Sequence, residues 1–572
     1  MREGQIKKKG SVLKTGCLGY LGITAGLPLV LGLLCIPLGV LWAIWDEFKQ
    51  GRILSGLILL AIFGGVCYGV YKLIRYLMKK KNQGKTVKAT PDTVQLQTTT
   101  GAIQYNNPYR GFFILGAAGS GKSESIAVPL LGEFISKGFA GVVYDFKFPT
   151  LANDVQAFID ANNGVLRHYF LNFNNPQQSH RVNPLNPRYL LNTSYAREYA
   201  EAMINNLMPE SMKKPDIWSR TATDLLTACI WYLKDERPDI CDLPHVCAMI
   251  TSNDTALLTK LQENPVTAQM TISIYNAMQR GADGQTAGVI GTLQGAIAQV
   301  NTPELMYIFG GDDFSLNVND PAAPAVVTVG SYPTLTTTLA PLCSLVITVA
   351  TKLMNQPGKN RSFVLMDEAP TCRIPKFEVL PNTGRSNKIA TVIMCQDLAQ
   401  LTDGYGKEKG DVLFAACNNH FYGRVASSHT SEILSKQFGK TDKSFVTQSR
   451  NRKRTEFFGS QGESESVQER DVMRPAEFLA LQVGEFAGVG VETNRPTFKA
   501  KFLQAKRPVF TGLNEPRHNG DIYGYYKQVR YDINKLLSAG VQPEAGNGGV
   551  LNNTRTNSKP NEQNNVFDFF GD

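Results

Sequence analysis

Three short stretches of the sequence carry residues that can do chemistry together. Gly116, Ala117, Ala118, Gly119, Ser120, Gly121, Lys122 and Ser123 make a complete G-x-x-x-x-G-K-S loop. Its glycines reach backbone angles closed to larger residues, so successive N–H groups can turn inward around phosphate oxygens at the positive end of a following helix. Lys122 would then reach the β- and γ-phosphates of ATP, and the Ser123 hydroxyl would ligate Mg²⁺. Far downstream, Asp367 and Glu368 close the apolar run Ser362–Met366. An apolar strand ending in such a pair suits a Walker B element, with Asp367 in the Mg²⁺ shell and Glu368 polarising a water in line with the γ-phosphate. Gln396 follows the apolar run Ile389–Cys395, where a γ-phosphate sensor would sit.

Other chemistry has weaker footing. Cys241, His245 and Cys247 stand close together but lack a second ligand pair for zinc, and a helical packing site is the plainer reading. There is no H-E-x-x-H and no persuasive Ser-His-Asp or Cys-His set, so His420 and His429 read as structural. The ten cysteines are scattered without repeated spacing, as suits reduced cytoplasmic thiols.

The elements that must position the loop and the carboxylates alternate along the chain. Phe112–Leu115 leads into the loop and a helix follows it to about Lys137; Ala140–Asp145 and Leu166–Asn172 read as strands. From about 190 to 320 the spacing turns helical, over 194–208, 217–233, 254–262, 266–280 and 285–300. Strand texture returns at 325–329, then a long helix over 338–354, strands 362–366, 389–395 and 420–425, a helix at 431–438, and a helix-to-strand unit at 475–481 and 485–491. The alternation implies a mostly parallel, helix-covered sheet carrying an all-helical insertion. Residues 89–110 read as a linker or edge strands. The stretch 439–472, long and polar with Arg450, Arg452, Lys453 and Arg454 together, reads as a loop, either merely solvated or facing a nucleic-acid channel. From about Gln542 the chain is rich in Asn, Gly and Gln until the acidic-aromatic tip 566–572, which reads as a disordered tail.

The net charge of +10 is local. Residues 1–88 hold 14 Lys/Arg against 3 Asp/Glu, whereas the rest hold 45 against 46, so the charge balance of the body does not by itself call for nucleic acid. Residues 16–45 and 53–74 are apolar runs long enough to cross a membrane of about 30 Å. Lysines precede the first and a basic cluster from Arg75 to Lys88 follows the second, which predicts a hairpin with both ends in the cytoplasm.

Taken together, these motifs resemble the TraG/TraD-type coupling proteins of type IV secretion, membrane-anchored relatives of the FtsK-like motors. The resemblance covers roughly 16–505: two spans, GAAGSGKS, VVYDFK, RVNPLNP, an insertion containing DIWSRTATDLL, VLMDEAP, GRSNK and VIMCQDLAQL. Where many members have D-P-K-G-E, this chain has Asp145-Phe146-Lys147-Phe148-Pro149. The resemblance implies a RecA-like P-loop ATPase domain (89–190 and 321–505), an inserted all-α domain (191–320), an anchor (1–88) and a C-terminal extension (506–572). It also implies a hexameric ring in the bacterial inner membrane, with ATP and Mg²⁺ bound between subunits. By position, Arg385 in the G-R-S segment looks like a finger supplied to a neighbour's ATP, and Gln396 like the sensor. The implied task is delivery of a relaxase bound to single-stranded DNA to a type IV secretion channel in conjugation. Two other readings stay open at this point: a coupling ATPase for protein effectors only, and an FtsK-like DNA translocase, although no winged-helix-like module follows the motor.

Overall fold

Runs such as AGVVYD, AVVTVG, SFVLM and IATVIMC, apolar without alternation, can be buried on both faces only in a sheet covered by helices on both sides. In the computed structural model, which describes residues 42–82, 89–210, 216–451 and 460–538, they form the centre of one sheet. β1 (Val94–Leu96) and β2 (Ile103–Tyr105) pair as a small antiparallel hairpin ahead of it. β3 (Phe112–Leu115), β4 (Ala140–Asp145), β5 (Arg167–Leu171), β6 (Ala325–Gly330), β7 (Ser362–Met366), β8 (Ile389–Cys395) and β9 (Asn419–Tyr422) then run parallel, in the spatial order β9-β3-β8-β7-β4-β6-β5. A ribbon of β10 (Lys440–Asn451) and β11 (Ser460–Asp471) follows in the chain. β12 (Glu485–Val489) and β13 (Thr497–Lys501) then extend the sheet antiparallel beyond β9.

Alternation along each strand separates two cores. Phe112 and Ile114 of β3, with Val143, Phe363 and Val392, pack under helices Val128–Ser136 and Thr150–Ala161 through Leu131, Phe134, Val155 and Ile159. Phe113 and Leu115, with Val142, Val364 and Ile393, face the other side, where helix Thr336–Met354 lies buried between the sheet and the helix Thr193–Leu207. Thr336–Met354 is apolar enough to cross a membrane, but its burial marks it as a core helix.

Between β5 and β6 the chain is helical: Thr193–Leu207, Ile217–Glu236, Leu243–Ile250, Asp254–Leu261, Pro265–Gln279, Asp283–Ala298 and Pro303–Phe309. Side-chain caps at Asn192, Asp216, Asp242, Asn253, Asn264 and Thr302 start all but one of these, and Asp216 forms a full capping box with Ser219. Cys241 and Cys247 lie buried at and in the Leu243–Ile250 segment, and His245 bonds Asp242 at 2.6 Å. Among the described residues no group of three metal-binding side chains gathers.

The structure departs from the sequence reading at 439–472 and in the C-terminal extension, and at 89–110 it decides for strands over a linker. The polar stretch 439–472 is a β-ribbon in register from Lys440↔Asp471 to Asn451↔Ser460, with 452–459 outside the described residues. Its residues 440–442 and 466–470 are exposed, and its sequence lacks the apolar alternation that betrays a strand. Residues 89–110 hold the β1–β2 hairpin, which buries Val94, Leu96, Ile103 and Tyr105 against the Phe134 core. In the C-terminal extension, helix Ile522–Ser538 packs Val529, Ile533, Leu536 and Leu537 into the core shared with the helical insertion. The tail beyond 538 and nearly all of the first apolar run lie outside the described residues, whereas Ile53–Asn82 is a helix whose segment Ile53–Leu73 is long and apolar enough to cross a membrane.

The C-terminal helix yields a direct test. Ile533 is buried, so Ile533→Ala should cost about 3 kcal/mol of local stability. Limited proteolysis should then cut ahead of residue 522 in the variant while leaving the wild type intact.

Candidate active site

In a parallel run, every carboxyl end lies on one edge, and this edge gathers the chemistry. The loop after β3, Asp145 at the end of β4, Asp367 and Glu368 after β7 and Gln396 after β8 all emerge there. β8 lies between β3 and β7, so Gln396 stands between the loop and the carboxylate pair.

The loop is held from behind. Gly116 N–H donates to the Cys395 carbonyl, Ala117 N–H to that of Arg424 at 2.7 Å, and Gly484 N–H to that of Ser120 at 3.0 Å. Gly119 and Gly121 have φ of +73° and +92°, and a Cβ on Gly121 would come within 3.0 Å of the Gly484 nitrogen. The helix after the loop opens with a π-turn, Ser123–Ala127, closed by Val128 N–H to the Ser123 carbonyl. Pro129, which has no N–H to offer the Ser125 carbonyl, follows directly in the first turn of the α-helix.

Lys122 folds its ammonium back onto the loop, 2.5 Å from the Gly116 carbonyl and 3.5 Å from that of Ala117. Burial pushes its pKa down, against the pull of Glu368, Cys395 and Asp367. The Asp367 carboxyl is pushed up by burial, opposed by Lys122, Lys147 and a hydrogen bond from the Ser123 hydroxyl. Glu368 is buried; burial raises its pKa, and the bond from Gln396 Nε2 to its Oε2 at 3.0 Å counts most on the other side. Its Oε1 is buried without a partner.

These side chains line a cavity of about 300 Å³ with Ala118, Glu124, Phe146, Lys147, Thr150 and Leu151. A polyphosphate and a divalent cation fit the set. The cradle is one that a Cβ at Gly121 would disturb, Ser123 and Asp367 bring together a hydroxyl and a carboxylate of the kind that suits a divalent cation, and Glu368 Oε1 is a buried acceptor without a partner. The sequence-named residues Gly116 to Ser123, Asp367, Glu368 and Gln396 are thus gathered here. Arg385 is not: it lies exposed ahead of the amino end of β8, with the length of that strand between it and Gln396.

Two residues of this edge were given no site role in the sequence reading. Lys147 lines the cavity and stabilises the Asp367 carboxylate; its position just past β4, in D-F-K, is the signal that could have found it. Asp145 is fully buried and accepts N–H bonds from Lys147, Leu151 and Ala152 at 3.2, 2.8 and 3.0 Å, which ties the start of helix Thr150–Ala161 to the sheet. Burial nevertheless pushes its pKa up to about 7.

Comparison with known proteins follows the same lines. A family model described as Type IV secretory system Conjugative DNA transfer matches residues 73–516. No curated protein matches the sequence. Among solved structures, the bacterial conjugative coupling protein TrwBdeltaN70 in its unbound monoclinic form aligns at a TM-score of 0.57 and 16% identity, over 77% of this chain and 93% of that one. TrwB in complex with ADP and Mg²⁺ aligns at 0.57 and 16%, over 76% and 92%. TrwB with the non-hydrolysable ATP analogue ADPNP aligns at 0.57 and 15%, over 77% and 94%. At such identity the likeness establishes the fold alone, that of a RecA-like P-loop domain.

The cradle geometry predicts that Gly121→Ala, strained at φ +92° and pressed on Gly484, weakens binding of ADP by at least about tenfold, read by calorimetric titration. Gly138→Ala carries similar strain at φ +74° but faces open space away from the loop, and should leave that affinity unchanged.

Proposed function

The chain belongs to the conjugative DNA transfer family of type IV secretory systems, and on that footing we propose that it is a membrane-anchored coupling ATPase that binds ATP with Mg²⁺ and hydrolyses it to deliver a relaxase bound to single-stranded DNA to the secretion channel. The observation that carries the hydrolytic part is the bond from Gln396 to Glu368 Oε2, which leaves Glu368 Oε1 unpartnered beside the phosphate loop. The TrwB structures with ADP, Mg²⁺ and ADPNP support the choice of ligand.

On this reading each side chain has one task. Ser123 and Asp367 would hold Mg²⁺, which when bound would supply charge neutralisation at the phosphates. Lys122 exchanges its loop carbonyls for phosphate oxygens, a better partner for a desolvated ammonium. Glu368, held in place by Gln396, accepts the hydrogen bond that aims the attacking water. The helix at 53–73 is the described part of the anchor, and a two-span hairpin in the bacterial inner membrane with both termini cytoplasmic is the arrangement that the flanking basic residues favour.

Arg385 argues for a homo-oligomer, a hexamer in this reading. It precedes the amino end of β8, at the edge opposite its own phosphate loop, so the ATP within its reach is a neighbour's. There its guanidinium would offset charge developing at the γ-phosphate.

Two measurements test this. Lys122→Ala should lose ATP binding, whereas Glu368→Gln should bind ATP and lower kcat by orders of magnitude; wild-type turnover in Glu368→Gln would remove the proposed role of that carboxylate. Separately, mixing Arg385→Ala with Lys122→Ala subunits should restore part of the ATPase that each lacks alone. Absence of recovery in mixed oligomers verified by mass would leave no finger acting in trans.

A further inference from the structure

After β13 the chain runs as an extended strap to the C-terminal helix, and it is fastened at both ends. Phe502 is buried among Phe421, Phe486 and Phe498, and Leu503 N–H donates to the Gln97 carbonyl at 2.9 Å. Leu513 packs on the cluster of Phe148, Ala152 and Phe170, and His518 N–H donates to the Gln177 carbonyl at 3.0 Å before helix Ile522–Ser538 begins. Between these anchors the strap lays Arg507 on the rim of the cavity. Its guanidinium holds both oxygens of Glu124, at 2.7 and 2.8 Å, and both of Asp154, at 2.6 and 3.2 Å.

Both carboxylates lie where they are a liability to an anionic ligand. Glu124 directly follows Ser123 and lines the cavity, and Asp154 is buried one turn beyond Thr150 and Leu151, which line it too. Left bare, two negative charges at the rim would repel a polyphosphate and, for Asp154, carry the cost of an unpaired buried charge.

We propose that Arg507 is a positioning residue for nucleotide binding: from the C-terminal strap it neutralises Glu124 and Asp154 and so makes the rim of the phosphate site compatible with a polyanion. This rests on the reading of the cavity as an ATP site. It also gives the C-terminal extension a place in the nucleotide site of its own chain.

Because Arg507→Ala strands a buried carboxylate, the test starts from Arg507→Ala/Asp154→Asn in the full chain, purified in detergent, with a fluorescent ATP analogue for Kd and steady-state ATPase for KM and kcat. The double variant should raise Kd and KM about tenfold with kcat near wild type. Adding Glu124→Gln should return both to within about twofold of wild type, because the repelling charge is gone, and rising salt should shrink the defect of the double variant. Kd equal to wild type in the double variant, or a defect that Glu124→Gln does not relieve, overturns the proposal while leaving the ATP site standing. A wild-type chain that binds no nucleotide removes the ATP reading itself, and this proposal with it.

Discussion

The burial of a lysine ammonium and two carboxylates at the carboxyl edge of a parallel sheet is the interaction on which this structure turns. Lys122, Asp367 and Glu368 are each driven toward neutrality by burial, and the attraction between the ammonium and the two carboxylates opposes that drive. A pair or triad of this kind is a poor source of stability, since desolvation consumes most of what attraction returns. Its value lies in readiness. Glu368 Oε1 has no partner and the ammonium makes do with carbonyls, so a polyphosphate and its cation would satisfy what the protein alone leaves unsatisfied.

Everything around that cluster acts to keep it from relaxing. The sheet cannot move the carboxylates apart without breaking β7 from β8, and the loop is braced by carbonyl and amide contacts from Cys395, Arg424 and Gly484, three separate parts of the chain. Asp145 supplies a second brace, trading a buried charge for three N–H bonds that fix helix Thr150–Ala161 against the loop's own helix. The energetic cost of these buried charges is met by two extensive apolar cores, one on each face of the sheet.

The helical insertion is joined to this apparatus at more than one point. Helix Thr193–Leu207 packs on the buried helix Thr336–Met354, and Asn206 bonds the Arg373 backbone a few residues past the carboxylate pair. The strap adds a second connection, from the rim at Arg507 to the helix Ile522–Ser538 seated on the insertion.

The sequence by itself determined the loop, the Asp367-Glu368 pair, Gln396 and most strands, because each is written locally: glycine spacing, an apolar run, a carboxylate at its end. Helix bounds were legible wherever Asp, Asn or Thr capped an amphipathic run, as at Asp216, Asn253 and Asn264. Only the tertiary structure decided that β8 enters between β3 and β7, which brings Gln396 onto Glu368. Parallel neighbours are separated by long crossovers, so their order leaves no local trace. The same holds for Arg507, which meets Glu124 across 383 residues, and for the β10–β11 ribbon. Hydrophobic periodicity reports burial, and neither an ion pair between distant segments nor a ribbon of polar residues changes it.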